Sequence, residues 1–394
     1  MKPVAHLSTE QRVAGVMLAA SLASTIGGLP FNALPVMLGS LADSFSLDAA
    51  AVGLMGSVCF AGYLVGTLGA PFWMNRLNWR SLTVISAIGT AASFALSAQV
   101  RDLGTLYAVW ALIGFFASTM TCLGMRILAD LPNAVRAFGV RQGVELSVTA
   151  AVLFALPPWI IATHQYPGAA LALAAVVALL GLSARWVPAQ PLRPLPPAGV
   201  PWRAMPLGTG LHMAVFFVFL AGNIALWAFL ERIGKGLQIQ PAEMGVVFAV
   251  LKLLGGAAAF FVAWVGDRAR AGLAHTLVLA GVLCGLSLLY AGSGFGAFAL
   301  GAWCWEFAFT CGCVVQAASI ARSDPSGRAV VLVPAVFALS SMVGPGLAGQ
   351  LVAGGSYTGV LLLAGACSLA PVLLAMGLRL AAGNAAAGDA APTR

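Results

Sequence analysis

Long apolar runs follow one another from residue 12 to residue 381, separated by short hydrophilic breaks. A helix rises about 1.5 Å per residue, so roughly 20 apolar residues cross a hydrocarbon core about 30 Å thick. In lipid every backbone N–H and C=O must be bonded within the chain, and a helix does this locally. Cutting at charges and at Pro/Gly clusters gives twelve runs: 12–39, 50–74, 81–100, 104–130, 139–163, 167–187, 207–233, 241–266, 273–292, 295–322, 328–353 and 356–381. Each predicts a membrane-spanning helix, since the short alternating segments of a membrane barrel are missing. Charged residues make up only 8% of the chain and hydrophobic residues 60%, too few charges for a water-facing surface. The expected fold is an all-α polytopic membrane protein.

Residues 188–206, PAQPLRPLPPAGVPWRAMP, hold seven prolines in nineteen positions and predict an extended linker. It divides the runs six and six: an N-terminal bundle over 1–187 and a C-terminal bundle over 207–394 ending in a short disordered tail. Of the 20 lysines and arginines, Lys252 lies inside a run, and Arg101, Arg232 and Lys235 share one side with neither terminus. The other sixteen lie on the opposite side with both termini. By the positive-inside rule that side is cytoplasmic, and the expected location is a bacterial-type inner membrane. The net charge of +8 is therefore topological, and no nucleic-acid partner is expected. All seven cysteines fall within apolar runs, so neither disulfide, metal site nor cofactor is expected. With no nucleophile–base grouping and no phosphate-cradling loop, the chain does not read as an enzyme.

The halves are related. Gly53 stands 22 residues before the Asn75–Arg76 pair, and Gly245 stands 22 before Asp267–Arg268. Asn32 and Asn223, in runs 1 and 7, are 191 residues apart. Such matches argue for a duplicated six-span unit and two pseudo-symmetric bundles.

Three stretches carry a family resemblance. NALPVMLGSLADSFSLDAAAVGLMGS (32–57) has the form of a first span, outer loop and second-span entry. PFWMNRLNWR (71–80) and AWVGDRARAG (263–272) stand where a basic turn of the form G-x-x-x-D-R-x-G-R-R follows spans 2 and 8. Over essentially its whole length the chain resembles the major facilitator superfamily, in the manner of its twelve-span drug and metabolite proton antiporters. Arg76, Arg80, Asp267 and Arg268 match the turn, whereas Asn75 replaces its acid and Pro71 and Asn78 replace glycines. Span 5 reads FALPPWII (154–161) where the proton antiporters carry a glycine-rich element. The resemblance implies two six-helix bundles around a central cavity that opens alternately to each side. It also implies a gating role for Arg76, Asp267 and Arg268, to which Arg126, Arg141 and Glu145 add a cytoplasmic-side charge network.

Lys252 is the only charged residue between Glu243 and Asp267, and Glu306 stands at the same depth in span 10. Buried charges in spans are expensive and mark solute or proton paths. The resemblance makes spans 8 and 10 neighbours, so Glu306 is the expected partner of Lys252. Asn32, Asn223, Tyr63, Trp227, Trp303 and Trp305 are expected to complete a substrate and proton-coupling site, although Trp303 and Trp305 cannot share a helix face. His212 is assigned no role. The expected function is a secondary active transporter moving a small organic solute by alternating access, with proton-coupled export of amphipathic compounds as the leading direction. Uptake or exchange of a small organic anion is the alternative. The expected partners are the solute, protons and the lipid bilayer, and the expected state is a monomer.

Overall fold

A computed structural model describes residues 9–74, 76–191, 206–265, 271–324, 328–352 and 354–389. Their regular elements are helices: α1 (Thr9–Asn32), α2 (Leu34–Phe45), α3 (Ala49–Met74), α4 (Trp79–Ser97), α5 (Leu103–Ala129), α6 (Ala134–Ala155), α7 (Ala162–Gly181), α8 (Leu207–Gly236), α9 (Pro241–Val265), α10 (Ala271–Ala291), α11 (Gly294–Ser323), α12 (Arg328–Leu351) and α13 (Thr358–Asp389). Among the described residues ten stretches are long and apolar enough to cross a membrane. One of them, Arg136–Trp186, is 51 residues long and holds both expected spans 5 and 6. The expected third span, α4, falls short of that threshold because serine and threonine recur along it.

The expected first span divides. It runs beyond 39 to Phe45, with a break at Ala33 where Pro30 and Pro35 flank the junction. Proline supplies no N–H and crowds the preceding turn, so the helix restarts there. Spans 5 and 6 are joined through a π-helical turn at Leu156–Ile161, which contains Pro157 and Pro158. The kink follows at Gln165, whose φ of 53° and ψ of −152° leave the helical region. Entry into the N-terminal helices is set by side chains. Asn78 accepts from the Arg80 and Ser81 amides, Asp102 from those of Gly104 and Thr105, and Asn133 from that of Arg136. Each satisfies an amide that the first helical turn leaves open. Asn78, which departs from the family's turn, thus serves as the cap of α4.

Contacts divide the chain into two units, residues 1–201 with 240–253 and residues 202–239 with 254–394. In the first unit α3 and α1 pack along α5, α6 packs on α1, and α7 on α4. In the second, α12 and α13 pack on α8, and α11 and α13 on α10. Several buried hydroxyls are bonded within their own helices, as Ser21 to the Met17 carbonyl and Thr90 to that of Ser86. The proline-rich linker lies almost wholly outside the described residues.

Candidate functional site

In the first unit, α1 and α6 bring together Asn32 and Glu145, 113 residues apart in the chain. Glu145 and Arg141 share a face of α6 at i, i+4, with Arg141 Nη2 2.6 Å from Glu145 Oε2. That oxygen accepts no hydrogen bond, so the pairing is ionic by proximity. The other oxygen, Oε1, accepts from Asn32 Nδ2 at 3.2 Å, and Arg141 Nε donates to Ser24 Oγ at 2.7 Å. The carboxylate lies directly over Gly28, where an added methyl group would collide with it. The glycine leaves that space to the carboxylate, which a side chain would displace. On α3, Tyr63 donates to Thr121 Oγ1 at 2.8 Å.

Above this network stands an aromatic run. Phe31 and Phe60 meet edge to face at 6.0 Å, and Phe60 and Tyr63 are tilted at 5.8 Å. Lys252, from the middle of α9, places Nζ 5.7 Å from the centroid of the Phe31 ring. The lysine is only 4% exposed. An ammonium over an aromatic face at this range is a cation–π arrangement, strengthened by removal from water. Arg126 pairs with Asp130 at 3.3 Å on α5, apart from the Arg141 pair.

In the second unit, Asn223 of α8 is fully buried and its amide is saturated. Its Nδ2 donates to the Phe219 carbonyl at 2.8 Å and to Ser368 Oγ at 3.0 Å, and its Oδ1 accepts from Trp305 Nε1 at 2.9 Å. Trp305 stacks on Trp227 at 6.4 Å and on Phe309 at 5.5 Å. The polar atoms of Asn223 and the indole N–H are thus spent on each other, and these residues brace the bundle core. Trp303, two residues before Trp305, is half-buried. Glu306 follows Trp305 and is 6% exposed. Its Oε1 lies 2.7 Å from where a Cβ would stand at Gly255 of α9, so a second glycine makes room for a second buried carboxylate. Gly255 is one turn beyond Lys252 on the same helix.

Arg76 is exposed and lies over the Phe72 ring at 3.8 Å. Asn75, Asp267 and Arg268 lie outside the described residues. The partners that sequence reading missed are Ser24, Gly28, Phe31, Phe60, Thr121, Gly255 and Ser368. None carries a charge, and each is recognised only by a neighbour distant in the chain. Among the described residues no three His, Cys, Asp or Glu side chains gather to hold a metal ion.

Residues 16–315 match the sequence profile of the Major Facilitator Superfamily. The chain belongs to this superfamily. Among curated proteins, this superfamily member is 26% identical over 392 residues to the 3-(3-hydroxyphenyl)propionate transporter of Escherichia coli strain K12, covering 91% of the chain and 90% of that protein. Among solved structures, the nucleoside transporter NupG superposes with a TM-score of 0.73 at 14% identity, covering 93% of this chain and 98% of NupG. A D-xylose–proton symporter gives 0.72 at 12% identity, covering 92% and 97%. Such low identities show a shared fold. This major facilitator is a multi-pass membrane protein and a secondary transporter of small solutes, not an enzyme.

Proposed function

We propose that the protein takes up a small aromatic carboxylate together with protons, with the ammonium of Lys252 holding the carboxylate and Phe31 and Phe60 facing the ring. The single observation carrying this reading is the buried ammonium beside an aromatic run, 4% exposed and 5.7 Å from Phe31. A charge at mid-helix in a span marks a solute or ion path. A carboxylate is its natural complement, and an aromatic body suits the flanking rings. Tyr63 ends the run with a hydroxyl able to meet a polar ring substituent. The E. coli relative is named for an acid of this class, an aromatic ring joined to a propionate.

Glu306 is the proposed proton carrier. Its carboxylate reaches α9 at Gly255, one turn from Lys252, so protonation and solute binding bear on one helix. The Asn32–Glu145–Arg141–Ser24 network braces α1 beneath Phe31, while Asn223, Trp227 and Trp305 brace the other bundle. In this reading the chain works as a monomer in a bacterial inner membrane, with both termini in the cytoplasm.

Proteoliposomes under an inward proton gradient, offered radiolabelled 3-(3-hydroxyphenyl)propionate and its neutral amide, test the reading. The acid should accumulate and the amide should not. Lys252→Met should slow uptake by about thirtyfold or more, equivalent to the ~2 kcal/mol or more lost when one partner of a buried charge pair is removed. Glu306→Gln should retain solute exchange but lose gradient-driven accumulation. Wild-type rates in Lys252→Met, or equal transport of acid and amide, would end the proposal.

A further inference from the structure

Within the second unit, the first turns of α8 and α10 and the last turns of α11 line, together with α13, a half-open cavity of about 300 Å³. One wall is apolar, formed by Pro371, Leu374 and Leu378 of α13. The other is polar, formed by His212, His275, Gln316 and Ser319. Gln316 is 4% exposed, and among the described residues neither Oε1 nor Nε2 has a hydrogen-bond partner. A buried amide with both ends open is rare in a native fold and points to something that binds there.

The surrounding groups fix the sign of that ligand. His275 is buried and lies within electrostatic reach of His212 and Arg322. Arg322 Nη2 donates to Ser319 Oγ at 3.3 Å. His212 Nδ1 donates to the Gly208 carbonyl at 2.8 Å. Among the described residues no carboxylate lines the cavity. The polar wall offers donors from Gln316 Nε2 and the His275 ring, with the Arg322 charge behind Ser319, and the opposite wall is aliphatic.

We propose that this cavity is a second ligand site, separate from Lys252, for an oxyanion carried on a short apolar body. The carboxylate or phosphate accepts hydrogen bonds from the Gln316 amide and the His275 ring in the field of Arg322, while the apolar part lies against Pro371, Leu374 and Leu378. A cavity of about 150 Å³ holds a benzene molecule. Twice that volume fits a six-carbon acid or a headgroup with the start of its chain, and is too small for a whole phospholipid. The same chemistry has two sources, a free organic acid or an anionic lipid reaching in from the bilayer.

Thermal unfolding of the purified full-length protein separates them. In neutral detergent, hexanoate and hexyl phosphate are titrated with hexanol as the uncharged control. In nanodiscs, phosphatidylglycerol is compared with phosphatidylcholine. The expected result is a saturable rise in unfolding temperature with an anionic probe and none with hexanol. Saturation by hexanoate or hexyl phosphate identifies a free acid, and a rise confined to phosphatidylglycerol identifies a lipid. Gln316→Leu should raise the unfolding temperature of the unliganded protein, since it removes a buried polar group, and shift half-saturation to at least about tenfold higher probe. If Gln316→Leu yields no folded protein, His275→Phe carries the same comparison. No rise with any anionic probe, or an undiminished rise in both variants, overturns the proposal. The readout is binding rather than transport, so it is independent of the solute assigned to Lys252.

Discussion

Removing Arg141 alone should cost far more than removing Arg141 and Glu145 together. The two side chains are 15% and 12% exposed, and Nη2 lies 2.6 Å from Oε2. At a charge separation of about 4 Å and an effective dielectric near 20, their gross attraction is about 4 kcal/mol. Arg141→Met deletes that attraction but leaves Glu145 desolvated, with Asn32 at 3.2 Å as its hydrogen-bond donor. Partial exposure reduces the cost below the 3–5 kcal/mol typical of a broken buried pair, to about 2–3 kcal/mol. Glu145→Gln keeps an acceptor for Asn32 and leaves Arg141 its bond to Ser24, so about 1–2 kcal/mol is expected. In the double variant no charge is stranded, and the loss should be about 1 kcal/mol, which implies a coupling of ~2–4 kcal/mol. The assay is a double-mutant cycle by denaturant unfolding in detergent, with intrinsic tryptophan fluorescence as the probe. Additive single losses, with a coupling under about 0.5 kcal/mol, would refute the claim that these charges compensate each other.

The glycines beneath the carboxylates give a second test. Gly255→Ala should displace the Glu306 carboxylate and impair gradient-driven accumulation more than solute exchange, measured side by side in proteoliposomes. Trp305→Phe keeps the stacked ring and deletes the N–H to Asn223, so unfolding should show a loss of about 1–2 kcal/mol with the Michaelis constant for solute unchanged. The Asp102 carboxyl is held below its usual 3.8, first by its hydrogen bond with Thr105 and then by the Gly104 amide. A depressed carboxyl stabilises the fold above its unfolded value and loses that contribution as pH falls through the folded one. Because Asn caps about as well as Asp, the stability difference between wild type and Asp102→Asn should be full near about pH 6 and shrink as pH falls below 3.8 in thermal melts.

Bilayer physics made most of the fold legible. A run of apolar residues long enough to cross can do little else, and the helices follow the expected runs closely. What escaped was local backbone chemistry. The restart at Ala33 and the π-helical turn depend on where proline removes a donor, and hydropathy is blind to that. The charges of the site were visible for the same reason that they are costly: Lys252 and Glu306 stand out in apolar sequence, and Arg141 and Glu145 repeat at helical spacing. Their uncharged partners were not visible. Asn32 reads as half of a symmetric pair with Asn223, but the structure gives the two different work. Asn32 bonds a carboxylate on α6, and Asn223 locks an indole and a serine within its own bundle. Gly28 and Gly255 look like any other small residue until a carboxylate is found on top of them.

The seam between α4 and the end of the sixth span has a practical consequence. The Trp79 amide donates to the Ala189 carbonyl at 3.0 Å, and Arg80 Nε donates to the Val187 carbonyl at 2.7 Å. The N-terminal bundle therefore laces itself shut two residues beyond the last apolar position. Anyone cutting this gene into separately expressed halves, or grafting a fluorescent tag between them, should place the junction after Pro191. A cut at Val187 would strip the acceptor from the backbone beside a wholly buried tryptophan and unpick the start of α4.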